Sequence, residues 1–201
     1  MNISFAEKIN PSLENFDFDA ALQIAEAELE RLPITPFHSV LGRSLNHLTR
    51  PLASWIDNFY CAAKKTTAVC ALYFELNEFD IHTDHWFIQG FAYEDCEFDS
   101  DDMDWLCDFT TDAHTIIGSG FYLPDYPDLQ TAFSEIDHEK LEGNWTEEIQ
   151  QARDWCEQII IIRFMELMRN SHLFAKEGSL SWSDIPILFT EHEYDFIIKY
   201  E

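Results

Sequence analysis

Hydrophobic residues in the first third of the chain recur at the spacing of helices. One helix is predicted from apolar residues that fall every three or four positions, namely Phe18, Leu22, Ala25, Leu29 and Leu32. Asp17 is a suitable N-cap, and Pro33 ends the run. A second helix is predicted to begin at Pro51, with a buried stripe formed by Leu52, Trp55, Ile56, Phe59, Tyr60 and Ala63.

The middle third has the pattern of a sheet. Residues 67–76 form a nearly continuous apolar run rich in β-branched and aromatic side chains, which is typical of a strand buried on both faces. Residues 86–93 predict a second strand, and the polar connector 80–84 favours an antiparallel hairpin. One or two further strands are expected within residues 114–123, around Gly118 and Gly120.

The last third predicts two helices followed by two strands. Pro127 opens the first helix, whose inward side chains are Leu129, Ala132, Phe133 and Ile136. A long helix over residues 144–169 is apolar on all sides near residues 159–165, which indicates burial in the core. Residues 185–192 and 196–200 predict a terminal strand pair. This order indicates an α+β fold in a single domain spanning residues 1–201, with N-terminal helices and a central, mostly antiparallel sheet.

Composition favours a folded protein in a reducing compartment. Of the 201 residues, 46% are hydrophobic and 15% are aromatic, which supplies a core and argues against intrinsic disorder. No window approaches the roughly 18 apolar residues of a membrane span, and the N-terminus lacks the pattern of a signal peptide. The five cysteines form no CxxC pair. We therefore expect a cytoplasmic protein with reduced thiols.

Charge is distributed unevenly along the chain. The formal net charge is −26, and residues 66–139 contain eighteen acidic residues but no lysine or arginine. Soluble proteins usually intersperse the two signs. A chain of this charge should repel nucleic acid and anionic membranes and attract basic proteins or cations.

Acidic residues are densest in residues 94–108, called here the acidic segment. Seven of the eleven residues 94–104 are acidic, and Ser100 could cap a short helix there. We predict a docking surface for a basic protein, in which aromatic residues add contact energy and carboxylates set specificity and association rate. The predicted residues are Glu94, Asp95, Glu97, Phe98, Asp99, Asp101, Asp102, Asp104 and Trp105. A solvated loop is the alternative interpretation.

Catalytic and metal-binding patterns are weak. A calcium loop beginning at Asp99 fails, because Met103 takes the fifth position and Asp104 replaces the sixth-position glycine. Residues 82–85 (HTDH) could converge on one cation, with residues 112–114 or 191–193 completing the set, but they lack a zinc spacing. Residues 118–120 (GSG) lack the outer glycine spacing of a nucleophile elbow. The chain is therefore expected to be no enzyme and to need no cofactor or metal.

These features together resemble the immunity proteins of bacterial toxin–immunity systems, which are small, acidic α+β proteins without a catalytic motif. The resemblance lies in overall character along the chain, so no family residue is carried over. It implies an inhibitor that binds a cognate toxin domain, for example a basic nuclease, and occludes its active site or substrate groove. Two alternatives stay open: a metal-dependent enzyme using the region of His82, Asp84 and His85, and a DNA mimic or adaptor domain.

Overall fold

A computed structural model describes residues 2–77, 79, 85–97, 103–143, 145–192 and 196–200. Its helices are α1 (Ile3–Glu14), α2 (Phe18–Glu30), α3 (Thr49–Ala63), α4 (Ala113–Ile117), α5 (Pro127–Glu142) and α6 (Glu147–Gly178). Its strands are β1 (Ala71–Leu76), β2 (Phe87–Tyr93), β3 (Thr111–Asp112), β4 (Phe121–Tyr122), β5 (Ile187–Glu191) and β6 (Ile198–Tyr200). The predicted α+β class is confirmed. No helix in the described ranges is both long enough and apolar enough to cross a membrane.

The chain forms two compact units that interleave in sequence. The first unit comprises Met1–Leu45, Glu78–Trp86 and Leu123–Glu166, and the second comprises Asn46–Asn77, Phe87–Tyr122 and Leu167–Glu201. The first unit contains α1, α2, α5 and most of α6, whereas the second contains α3, α4, the end of α6 and all the strands. The single domain over residues 1–201 stays a prediction.

Aromatic rings form the core of the first unit. The Phe133 ring lies edge-on to Phe37 and Trp86, with ring centroids 5.3 and 5.2 Å apart. Trp86 also contacts Phe79 and Tyr126 at 4.9 and 5.9 Å. All five rings belong to buried residues, so α5 is held along the apolar stripe that its sequence predicts.

The second unit is built on one mixed sheet of order β3-β2-β1-β5-β6, and β4 pairs with the end of β2 that β3 leaves free. β1 pairs with β2 antiparallel and with β5 parallel. The remaining pairs are antiparallel, so the prediction of a mostly antiparallel sheet is confirmed. The connector 80–84 lies outside the described residues.

Helix α3 covers one face of the sheet. A Cβ atom on Gly90 would lie 3.2 Å from ring carbons of Phe59, Phe74 and Trp55, so the absence of a side chain lets the helix approach closely. The indole of Trp182 donates to the Ala53 carbonyl at 3.2 Å and ties the turn after α6 to the same helix. Helix α3 therefore does not cover the opposite face of β1 and β2.

The structure departs from the local predictions at three helices. Residues 114–117 are helix α4 and not a strand, because the Asp112 carboxylate caps the amide of Thr115 and Gly118 ends the helix in a left-handed conformation. Helix α1 is absent from the sequence prediction, although Ala6, Ile9 and Leu13 are buried at helical spacing. Helix α6 also runs to Gly178, nine residues beyond the predicted end. Its central residues 159–162 are fully buried, as predicted.

Candidate protein-docking surface

The face of the sheet opposite α3 carries an aromatic centre. Tyr73 in β1 is the register partner of Phe91 in β2, and side chains of paired residues project to the same face. Their rings stack at 5.7 Å, and the Phe109 ring lies 4.9 Å from Phe91. Tyr73 and Phe91 are half-buried, whereas Phe109 is 43% exposed. These three rings form a continuous apolar patch that reaches solvent.

The acidic segment is anchored beside this patch by its apolar residues. Cys96, Met103, Trp105 and Leu106 pack against a buried cluster made of Ala71, Tyr93 and Leu188. The Tyr93 hydroxyl donates to the Leu106 carbonyl at 2.7 Å, and its ring lies edge-on to Trp105 at 4.9 Å. The short 3-10 turn Asp104–Cys107 presents these groups to the sheet. Because the apolar side chains of the segment point inward, its charged side chains are left at the surface.

The described carboxylates of the acidic segment are all exposed: Glu94, Asp95, Glu97, Asp104 and Asp108. Two contacts fix the beginning of the segment. The Thr67 hydroxyl donates to the Glu94 carboxylate at 2.6 Å, and the Glu94 amide donates to the Thr110 hydroxyl at 2.9 Å. The negative charge is therefore carried on backbone that is held to the residues preceding β1 and β3.

Asp112 adds a further carboxylate beside Phe91, its register partner in β2. It accepts hydrogen bonds from the Gln89 amide at 3.1 Å and from the Thr115 hydroxyl at 2.7 Å. Burial opposes its ionisation, but the hydrogen bonds from Thr115 and the backbone of His114 outweigh that effect and lower the pKa of Asp112. The carboxylate is therefore ionised at neutral pH.

The polar groups beneath the surface stay uncharged. Burial raises the pKa of Tyr73 and Tyr93, and the negative charge of Glu75 raises both further. Burial, followed by a hydrogen bond with Cys96, raises the pKa of the Cys70 thiol to about 12. Cys70 is therefore a packing residue and not a reactive thiolate. The negative charge of this surface therefore comes from its carboxylates at neutral pH, and Lys199 of β6, the register partner of Leu188, is a cation on the same face of the sheet.

The structure brings together only some of the docking residues that the sequence predicts. Glu94, Asp95, Glu97 and Asp104 are exposed on the acidic segment, as the docking hypothesis requires. Trp105 is half-buried against Tyr93, so it supports the segment and is not a protruding anchor. The predicted residues Phe98, Asp99, Asp101 and Asp102, and the predicted cap Ser100, lie outside the described residues.

The exposed aromatics were missed by the sequence analysis. Phe109 and Tyr122 follow the acidic segment in sequence and were assigned no role. Tyr122 is 54% exposed, and its ring centroid lies 6.3 Å from that of Phe87. Period-two alternation in β2 could have found the patch, because Phe87, Gln89 and Phe91 are half-buried while Ile88, Gly90 and Ala92 are buried. The continuous apolar run of β1 obscures the same alternation.

The described residues contain no group of three or more His, Cys, Asp or Glu side chains that could hold a metal ion. They therefore do not supply ligands for the alternative metal site. His82 and Asp84 lie outside the described residues. His192 hydrogen-bonds Glu75 where the parallel strands β1 and β5 end, and its amide donates to the Leu76 carbonyl at 2.9 Å. His85 and His114 are exposed.

Comparison with known proteins finds no relative of this chain. No protein-family model matches the chain, and no curated protein or solved structure matches it. An aromatic patch bordered by fixed carboxylates can bind a cationic protein surface, with the rings supplying contact area and the carboxylates accepting charge-assisted hydrogen bonds from lysine and arginine.

Proposed function

We propose that the protein is an acidic inhibitor of a basic protein, and specifically an immunity protein that neutralises a cognate toxin. The observation that carries this proposal is the combination of the Tyr73–Phe91–Phe109 patch with the exposed carboxylates of the acidic segment on one side of the sheet. The absence of lysine and arginine from residues 66–139 keeps compensating charge out of the sequence that forms this surface.

The inhibitor acts by occlusion. Carboxylates on the acidic segment imitate the phosphates of a nucleic acid and pair with the lysines and arginines that line a nuclease groove. The Phe109 ring and the rings behind it enter the interface and exclude water around those pairs. Substrate and inhibitor then compete for the same cationic residues, which explains how a protein can block a nuclease without chemistry of its own.

Long-range attraction brings the partners together. Complementary charged surfaces associate at up to about 10⁸–10⁹ M⁻¹ s⁻¹ at low salt, against about 10⁵–10⁶ M⁻¹ s⁻¹ for neutral ones. A net charge of −26 makes that gain available to any strongly basic partner. The charge alone is not selective, so specificity rests on the aromatic patch and on the fixed positions of the carboxylates.

The test uses the product of the gene adjacent to the one that encodes this chain. We expect that product to be toxic when it is expressed alone, and we expect an equimolar amount of this protein to abolish its activity. The double variant Asp95→Lys/Glu97→Lys should associate roughly tenfold more slowly at low salt and with a flatter salt dependence. Both residues are exposed, so the folded state should tolerate the change.

A matched control separates local from global charge. The variant Glu7→Lys/Glu14→Lys changes the net charge by the same amount on exposed positions of α1. We expect it to slow association much less than the acidic-segment variant does. Equal effects of the two variants would show that only the net charge affects association and would contradict a docking surface at the acidic segment. An adjacent product that is harmless and is not inhibited would overturn the immunity function.

A DNA mimic would use the same surface on a different partner. In that case the protein would compete with duplex DNA for a host DNA-binding protein, and the adjacent gene product would be unaffected. Competition measured by displacement of a fluorescent duplex from that DNA-binding protein therefore distinguishes the two functions. Loss of competition in Asp95→Lys/Glu97→Lys would then assign the surface to mimicry and not to immunity.

A further inference from the structure

A cleft of about 430 Å³ opens in the first unit, between residues 33–36, helix α5 and the start of helix α6. Its lining is largely apolar. Ala132 and Ile136 of α5 are buried beneath it, and Ile149 of α6 is half-buried at its side. The volume lies in the range of about 300–1,000 Å³ that is common for binding pockets.

The wall of the cleft exposes a large aliphatic side chain. Ile34 is 92% exposed, the highest value among the large hydrophobic residues in the described part of the chain. It lies between Pro33 and Pro36, whose rings fix their own backbone φ angles and restrict the loop. Covering this side chain with a second apolar surface would remove its apolar area from water, which is favourable. The position of Ile34 beside an apolar cleft therefore favours binding.

The rim of the cleft is negative. Residues 132, 135, 136 and 139 follow helical spacing and present one face of α5 to the cleft, with Glu135 and Glu139 beside the apolar pair. Glu148 lies on the α6 side, and all three glutamates are exposed. No lysine or arginine is among the described residues that line the cleft. Its charge therefore complements a cationic ligand with an apolar centre.

We propose that this cleft binds a peptide segment of another protein, in which an aliphatic side chain is flanked by lysine or arginine. The aliphatic group would occupy the space above Ile136 and cover Ile34, and the flanking cations would pair with Glu135, Glu139 and Glu148. A second copy of this chain fits poorly, because two chains of net charge −26 repel each other. Anionic ligands are repelled by the same rim. The proposal does not depend on the immunity function.

The probe is a random dodecapeptide library displayed on phage and selected against the whole protein. We expect the selected peptides to share an aliphatic residue with lysine or arginine on both sides. One such peptide, made synthetically with a fluorescent label, should bind Ile34→Ser about tenfold more weakly than wild type in 0.15 M salt. Ile3→Ser is the matched control, because Ile3 is also exposed and lies on α1.

Charge is tested separately from the apolar contact. Glu135→Lys/Glu139→Lys should weaken peptide binding by at least tenfold more than Glu7→Lys/Glu14→Lys does, and Asp95→Lys/Glu97→Lys should act only as that control does. A peptide with serine in place of its aliphatic residue should bind Ile34→Ser and wild type equally and weakly. Selected peptides without the pattern, or equal binding by Ile34→Ser and Ile3→Ser, would overturn the proposal. Binding of dodecylammonium at Ile34, with no selected peptide bound there, would overturn the assignment to a protein partner.

Discussion

Gly120 is a point at which the packing of the second unit can be tested directly. It directly precedes β4, which pairs with Phe87 and Ile88 of β2. A Cβ atom added at Gly120 would lie 2.8 Å from the Ile88 carbonyl oxygen and 2.7 Å from ring carbon Cδ2 of Phe87. The ring could move, but the carbonyl belongs to the backbone of β2. The substitution Gly120→Ala must therefore displace β4 or β2.

The cost follows from the two close contacts. Forcing an extra carbon into a packed site costs about 1–3 kcal/mol. Replacing glycine by alanine returns about 0.4–1 kcal/mol by restricting the unfolded chain. Both contacts are below 3 Å and one is to backbone, so the packing cost lies near the top of its range. The net loss should be about 1–2 kcal/mol, and each kcal/mol corresponds to about 2–4 °C in a chain of this length. We expect the midpoint of thermal unfolding to fall by about 2–8 °C.

The assay is thermal and urea unfolding followed by circular dichroism, with hydrogen exchange of the β4 amides as a local readout. Gly118→Asn is the control, because Gly118 has φ +86° but its Cβ would meet no atom within 4 Å, and asparagine tolerates that conformation. It should cost less than about 1 kcal/mol. A Gly120→Ala protein as stable as wild type, or a Gly118→Asn protein destabilised by the same amount, would contradict a clash with the β2 backbone.

Two further predictions concern titrating groups. His172 is buried and hydrogen-bonds the Ser183 carbonyl through Nε2 at 3.1 Å, and desolvation lowers its pKa although that bond raises it. Because the folded pKa lies below the unfolded value of about 6.5, stability should fall as the pH drops below that value, and urea unfolding of His172→Gln should show a shallower pH dependence there. Equal pH dependence in the two proteins would contradict this assignment. The hydrogen bond from Arg43, aided by one from Ser39, lowers the pKa of Asp128 to about 2. Asp128→Asn should therefore cost about 1 kcal/mol or less at pH 7, since the pair is partly exposed, and the difference from wild type should shrink as the pH falls below about 4 and vanish below about 2. A full difference that persists below about pH 2 would show that the carboxylate charge is not its cause.

The helices were predicted best where one apolar stripe decides the outcome. In α2 the apolar stripe agrees with the Asp17 cap, and in α5 it agrees with the opening Pro127, so local sequence and burial indicate the same element. Helix α3 follows its stripe but begins at Thr49, two residues before the predicted Pro51. Residues 114–117 were misassigned because their isoleucines favour strand. The side chain of Asp112, two residues before the predicted strand, caps a helix instead.

The sequence predicts the negative charge of the acidic segment, but it does not predict which apolar residues complete the two candidate surfaces. Charge density is visible along a chain, so the acidic segment and four of its exposed, described carboxylates are predictable from the sequence. Phe109 is not, because it becomes relevant only through its contact with Phe91 on β2. The cleft at Ile34 is not predictable either, since the glutamates and isoleucines that form it are separated by about a hundred residues.

The sequence by itself determined the α+β class, the positions of most long helices, the strand pair β1–β2 and the restriction of all lysine and arginine to the chain outside residues 66–139. These depend on local periodicity and composition, which neighbouring residues set together. Tertiary structure alone decided that β5 joins β1 in parallel, that α3 covers one face of the sheet and that the apolar residues of the acidic segment pack on the other. These outcomes depend on contacts between distant residues, whose energies no local pattern contains.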